Sequence, residues 1–293
     1  MLSPATLVQL LSRPWLMEPT QAPQWAHIAE QVIFQGGAWA NLAPYADVYS
    51  DKAMGGPVYK VNDSGAIDPA GSVLVMNIQG PVMKADYCGA MGMETMQNVI
   101  RQANADSGVE AILLRIDSPG GTVDGTHNLA RTIKASGKPV VAHVDGMMAS
   151  AAYWIGSSAA EVIADDANGG HNAVIGSIGT MAQYVDGAKS LEQRGLSVHT
   201  VYATKSKRKN EHARQVFGGR YERLVAELDA LNDGFVASVQ ANRAGKLKPR
   251  LEDVFEGDVY NALDAMRFGL IDKIGTFGYA VKRAIQISKT LKK

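Results

Sequence analysis

Two short stretches of the chain carry residue types suited to acyl transfer. Asp117-Ser118-Pro119-Gly120-Gly121-Thr122 follows an apolar run and precedes a helical pattern. Its glycines let backbone N–H groups point into open space, which is what an oxyanion hole requires. The same Pro-Gly-Gly also makes an ordinary turn, and it lacks the spacing of phosphate-binding loops. One βα unit later, Asp145-Gly146-Met147-Met148-Ala149-Ser150-Ala151-Ala152-Tyr153-Trp154 puts a hydroxyl at the start of an apolar helix. A serine there is either an N-cap or a nucleophile. Ala149, Ala151 and Ala152 leave room for a substrate backbone, and a helix start favours negative charge developing beside the Ser150 oxygen.

A serine nucleophile needs a base, and the sequence offers two kinds. His143 precedes the second loop in register with Asp145, and His127 follows the glycine turn, so a Ser-His-Asp triad is conceivable. The other source is the cationic run Lys205-Ser206-Lys207-Arg208-Lys209. Crowded cations disfavour one another's protonation, and burial lowers a lysine pKa further, toward what a general-base amine needs. A strand histidine is also a common structural residue, and a basic run is also a common solvated loop.

Both loops must be held by a scaffold, and the pattern names one. Short buried runs at 72–78, 110–116, 139–144, 161–164, 174–178 and 198–203 alternate with helical stretches at 93–105, 126–135, 150–158 and 188–194. That alternation predicts βαβ units around a mostly parallel sheet, with strand-to-helix loops gathered at one edge. Upstream, two small helices are expected at 5–11 and 25–34. A Gly- and Pro-rich linker covers 36–71, with a short strand at 58–61. Beyond residue 218 the chain turns helical. Tyr221, Leu224, Leu228, Leu231, Phe235 and Val239 form a stripe suited to core or subunit interface. A helix over 260–268 is closed by Gly269, and a tail over 279–293 is apolar on one side and basic on the other. The expected divisions are an arm (1–35), the linker (36–71), a domain from 72 to 275 that is helical from about 219, and a C-terminal helix (276–293).

Composition narrows the partners. Lys plus Arg and Asp plus Glu both total 29, so no net field gathers nucleic acid or an anionic membrane. The single cysteine, Cys88, cannot form an internal disulfide, and no Cys/His spacing resembles a metal site. No apolar run reaches the roughly 18 to 20 residues of a membrane span, and no secretory signal opens the sequence. A cytoplasmic protein without metal or cofactor is the expectation.

The order of the pieces adds a resemblance. Leu114-Arg115-Ile116-Asp117-Ser118-Pro119-Gly120-Gly121, Met148-Ala149-Ser150-Ala151-Ala152-Tyr153, Val174-Ile175-Gly176-Ser177-Ile178-Gly179 and Tyr202-Ala203-Thr204-Lys205-Ser206-Lys207 together resemble the signal peptide peptidase A family of serine peptidases. The likeness continues through Gly257-Asp258-Val259-Tyr260 and Ala265 to Asp272, covering about residues 72–275. It implies an α/β, crotonase- and Clp-protease-like βα superhelix with a helical C-terminal region and a small helical N-terminal arm. It also implies a Ser–Lys dyad. By position, Ser150 matches the nucleophile, Lys207 the base, Ser177 the hydroxyl that orients the lysine, and Gly121 and Ala151 the oxyanion donors. Gly120, Met148 and Tyr153 are expected to contact substrate. Thr204 stands where the family has a small glycine, Ala151-Ala152 replaces a glycine-containing pair, and 165–173 is longer than usual; these departures narrow the cleft or stretch the Ser-to-Lys spacing.

Within the family, Leu10-Leu11-Ser12-Arg13-Pro14-Trp15 resembles the head-maturation proteases of tailed phages rather than the membrane-anchored members. That branch implies scaffold, portal or capsid protein as substrate, a homo-oligomeric ring, and a site in the host cytoplasm or procapsid. Since this chain stops at Lys293, a scaffold is expected to be a separate protein. Three alternatives stand beside it: a degradative peptidase of signal-peptide-peptidase type, a noncatalytic capsid-assembly protein, and an acyl-CoA enzyme on the same fold.

Overall fold

The computed structural model describes residues 15–17, 58–61, 67–87, 90–184, 186, 188–248 and 253–291. The chain runs through β1 (Trp15–Met17), β2 (Val58–Val61) and the long β3 (Ile67–Gln79) into an alternating series: α1 (Met93–Ala105), β4 (Ala111–Ser118), β5 (Gly120–Thr122), α2 (Thr126–Lys134), β6 (Val140–Ala149), α3 (Ala151–Ser157), β7 (Glu161–Ala164) and β8 (Val174–Gly176). It continues with α4 (Ala188–Gln193), α5 (Glu211–Phe217), α6 (Glu222–Asn242), β9 (Val259–Tyr260), α7 (Ala262–Phe268), β10 (Lys273–Ile274) and α8 (Phe277–Leu291).

The main sheet has the order β10-β7-β6-β4-β3-β2. The contacts of β3, β4, β6, β7 and β10 along it are parallel, β2 joins β3 antiparallel, and β8 pairs with the far end of β6. Side chains alternate faces along each strand, and here both faces are covered, so the strands read as continuous apolar runs. Ile112, Leu114 and Ile116 of β4, with Val140, Ala142 and Val144 of β6, pack into the larger cluster together with residues of α1, α2 and α3. Ala111, Leu113 and Val141 point the other way, where Ala280, Val281, Ala284 and Ile285 of α8 cover them. The apolar side expected in the C-terminal tail is this covering face.

Most of the expected elements form. The strand at 58–61 is β2, whereas the expected helices at 5–11 and 25–34 lie outside the described residues, as does Cys88. The strand expected at 198–203 is not formed. Val198 and Val201 are 75% and 92% exposed, and β-branched composition makes a strand only where a neighbour accepts its hydrogen bonds and covers one face. The strand expected over 174–178 stops at Gly176, because Ser177 turns to φ 51°. Of the stripe on α6, Phe235 and Val239 are buried, Leu224, Leu228 and Leu231 are half-buried and Tyr221 is exposed, so the helix docks most deeply through its C-terminal half. There the Trp154 and Phe235 rings stack with centroids 4.8 Å apart, and the Asn242 side-chain amide donates to Ser158 Oγ at 2.9 Å. These contacts fix α3, and with it the turn that carries Ser150.

Candidate active site

Ser150 sits where β6 ends and α3 begins, with φ 54° and ψ −122°. A non-glycine residue with positive φ is strained, and such strain concentrates at functional sites. The expectation of a helix start holds, but the side chain makes no capping bond. The residue is 1% exposed, and its buried Oγ has no hydrogen-bond partner among the described residues. Its amide donates to Gly176 O at 2.8 Å, which sets it beside Ser177. Ser177 has φ 51° and donates its own amide to Asp258 O at 2.7 Å. Gly176 is needed between them, because a Cβ there would lie 2.7 Å from that carbonyl oxygen.

The glycine turn is shaped by residues whose part was not read from the sequence. Ser118 Oγ donates to Gly80 O at 2.6 Å and accepts the Gly120 amide at 3.2 Å. Gly120 has φ 103°, and a Cβ on Gly121 would fall 1.8 Å from Val82 O, so neither position takes a side chain freely. Asp117 ties this turn to the loop before Ser150 by accepting the Met147 amide at 3.0 Å. Burial raises the Asp117 pKa, partly offset by the Met147 amide, while Asp145 raises it further and Arg115 lowers it. Arg115 itself donates to Asp145 at 2.7 Å. The legible signal for Asp117 was its place beside the paired glycines; its partner across β6 was not visible.

Neither histidine hydrogen-bonds the Ser150 hydroxyl. His143 lies fully buried on the α8 side of the sheet, with Nε2 3.3 Å from Gly275 O and 4.0 Å from Asp165 and its ring edge-on to Phe277. His127 is exposed and packs edge-on against Trp154. Lys205 and Lys207 lie in an exposed turned segment, and neither bonds to Ser150 within the single chain. Met148 and Tyr153, the expected substrate contacts, are both wholly buried in the larger apolar cluster, and the Tyr153 hydroxyl donates to Leu270 O at 2.8 Å. Burial pushes the Tyr153 phenol far above its usual range. Beneath them Arg243, also wholly buried, donates to Gly269 O and to Asp272, holding the closing segment Gly269 to Asp272 against α6.

The model of peptidase family S49 matches residues 132–292, more than half of the chain, and the match includes Ser150, Ser177 and Lys207. The chain belongs to peptidase family S49. Its fold is of the mostly parallel α/β kind expected from the sequence. This S49 chain is 29% identical to Protease 4 of Haemophilus influenzae over 73% of its own length and 34% of the relative's. It is 27% identical to capsid assembly protease C of Escherichia phage lambda over 74% of its length and 47% of the relative's. It thus spans about a third and about half, respectively, of these two curated relatives. Among solved structures, the 1510-N membrane-bound stomatin-specific protease in complex with a substrate peptide aligns with a TM-score of 0.47 and 17% identity, over 73% of this chain and 79% of that one. Among the described residues, no helix of the S49 chain is long and apolar enough to cross a membrane, and no group of three or more His, Cys, Asp or Glu side chains is placed to hold a metal ion.

Proposed function

We propose that the chain is an endopeptidase in which Ser150 is the nucleophile, Lys207 the general base and Ser177 the hydroxyl that orients the lysine, with the amides of Gly121 and Ala151 as oxyanion donors. The observation that carries this reading is Ser150 itself: a strained, buried serine with an unpartnered hydroxyl beside Ser177, inside the span that matches a serine-peptidase family. Neutral Lys207 takes the Ser150 proton as Oγ attacks a peptide carbonyl. The oxyanion forms against the two amides, and the lysine returns the proton to the leaving amine. Water then hydrolyses the acyl-enzyme with the same base. Ala151 opens α3, so its amide lies among those a helix leaves without an internal acceptor.

The lysine reaches the serine from a second subunit of a ring. Two features support this: Lys207 is exposed without bonding Ser150, and Leu196, Val198, Val201 and Phe217, on the same stretch of chain, are exposed. Large apolar side chains left exposed are suited to cover by a partner. A serine-directed fluorophosphonate should label wild type and not Ser150→Ala, and casein cleavage should vanish in both Ser150→Ala and Lys207→Ala. Full activity in either variant would remove this mechanism.

The substrate is scaffold, portal or capsid protein of a phage head, a reading supported by the likeness to the lambda protease. The likeness to Protease 4 supports the second reading, a degradative peptidase of signal-peptide-peptidase type. Co-expression with neighbouring head genes separates them: a processed head-protein band lost in Ser150→Ala supports the first, and an unchanged pattern supports the second.

A further inference from the structure

Strand β1 does not join the main sheet; among the described residues it pairs with β5 alone, antiparallel, with Trp15 opposite Thr122, Leu16 opposite Gly121 and Met17 opposite Gly120. The other side of β5 is already used. Val82 accepts the Thr122 amide at 2.9 Å and donates to Gly120 O at 2.8 Å. Since successive residues of a strand turn their polar groups to opposite sides, the amide and carbonyl of Gly121 face β1. Leu16 and Gly121 are therefore the mutually bonded pair, and the carbonyl of Leu16 lies against the amide assigned above to the oxyanion. The strand runs from Thr122 toward Gly120. That is toward the end of β4, where Ser118 is in register with Met148, two residues before Ser150.

We infer, on the basis of that assignment, that residues 15–17 are an in-built substrate strand: they occupy the edge where an extended peptide would bind, exclude other peptides from it, and present the Leu16–Met17 bond to Ser150. Addition of an extended segment to a free strand edge is a general mode of peptide recognition, and here the occupant is a segment of the same chain. In the cut, Ser150 Oγ bonds the Leu16 carbonyl carbon, and the bond from that carbon to the Met17 nitrogen breaks. The serine proton passes through the base to the Met17 amine, and water hydrolyses the Leu16 ester.

The test uses the full chain, followed by intact mass, N-terminal sequencing and initial casein rate. Wild type should lose residues 1–16, acquire Met17 as its N-terminus and speed up on casein as it does so, while Ser150→Ala stays whole. Leu16→Pro removes a ladder donor to Gly121 and should raise the initial casein rate about three- to tenfold. Met17→Pro, whose amide faces away from β5, keeps the pairing and should stay both uncut and slow. A wild type that cleaves casein yet retains residues 1–16, with Leu16→Pro no faster, overturns the inference and leaves the peptidase reading standing. A wild type that neither cleaves casein nor takes the fluorophosphonate overturns both.

Discussion

Ser150 and Ser177 leave the ends of two paired parallel strands side by side, with φ of 54° and 51°, and the amide of the first donates to the residue before the second. The chain accepts strain at both positions, and at Ser150 it gains no side-chain hydrogen bond in return. Stability and activity should therefore separate there. Ser150→Gly is expected to be more stable than Ser150→Ala by about 1–3 kcal/mol in urea unfolding, because glycine adopts positive φ without penalty. Both should lose about 10⁴-fold or more in peptide hydrolysis. Equal stability of the two variants would mean that the backbone at 150 is relaxed.

Lys207 makes no hydrogen bond to the Ser150 hydroxyl within one chain, so subunit mixing is informative. Ser150→Ala and Lys207→Ala are each expected to be inactive alone. When co-assembled, some interfaces pair an intact serine with an intact lysine, and casein cleavage should return to a fraction of wild type. Mixed assemblies as inactive as their parents would place both groups in one chain.

Gly121 is held against Val82 by backbone on both sides. A methyl at Gly121 would meet Val82 O at 1.8 Å, and a backbone carbonyl cannot swing aside as a side-chain tip can. Gly121→Ala should cost about 1–3 kcal/mol or more in denaturant unfolding and shift the amide proposed as an oxyanion donor, with a fall in kcat. Unaltered stability and kcat together would show that β5 moves freely.

Arg243 and Asp272 form a pair beneath the site, with Arg243 wholly buried. Burial alone would raise the Asp272 pKa, but the hydrogen bond and charge of Arg243, the bond from Lys246 and the Val162 amide together hold it below 3.8. A depressed carboxyl contributes stability that is present above its unfolded pKa and lost as pH falls through the folded one. Asp272→Asn should therefore flatten the acid limb of the stability curve below about pH 4. Arg243→Met leaves a charge half-paired in the interior and should cost about 3–5 kcal/mol near neutrality. Acid limbs that superimpose for wild type and Asp272→Asn would remove this linkage.

His143 works in a neighbouring window. Burial lowers its pKa from 6.5, against the opposing effects of Gly275 O, Asp165 and Asp145, with Arg115 lowering it further. The unfolded chain then takes up a proton that the folded chain refuses, so stability falls as pH drops below about 6.5. His143→Gln should show a flatter curve below about pH 6.5 while still cleaving casein. Loss of cleavage there, with Lys207→Ala still active, would restore the triad.

The sequence by itself determined the layered α/β scaffold. Alternation of apolar runs with helical stretches is a local pattern, and β4, β6 and α2 follow from it because burial on both faces leaves few other ways to cover such runs. It also determined the place of Ser150 at a strand-to-helix turn and of the paired glycines before α2, since glycine and small residues there serve the backbone. Composition did not decide the fate of 198–203. A run rich in β-branched residues became exposed coil, because a strand needs a neighbour and the sequence does not say whether one arrives. Nor could it tell that Met148 and Tyr153 turn inward, because a one-residue change of face is invisible without the packing around it. Only the tertiary structure brought Ser177 beside Ser150, left the Ser150 hydroxyl without a hydrogen-bond partner among the described residues, and laid Leu16 against Gly121. Each of these depends on contacts between segments distant in the chain, set by register and burial rather than by the residues on either side.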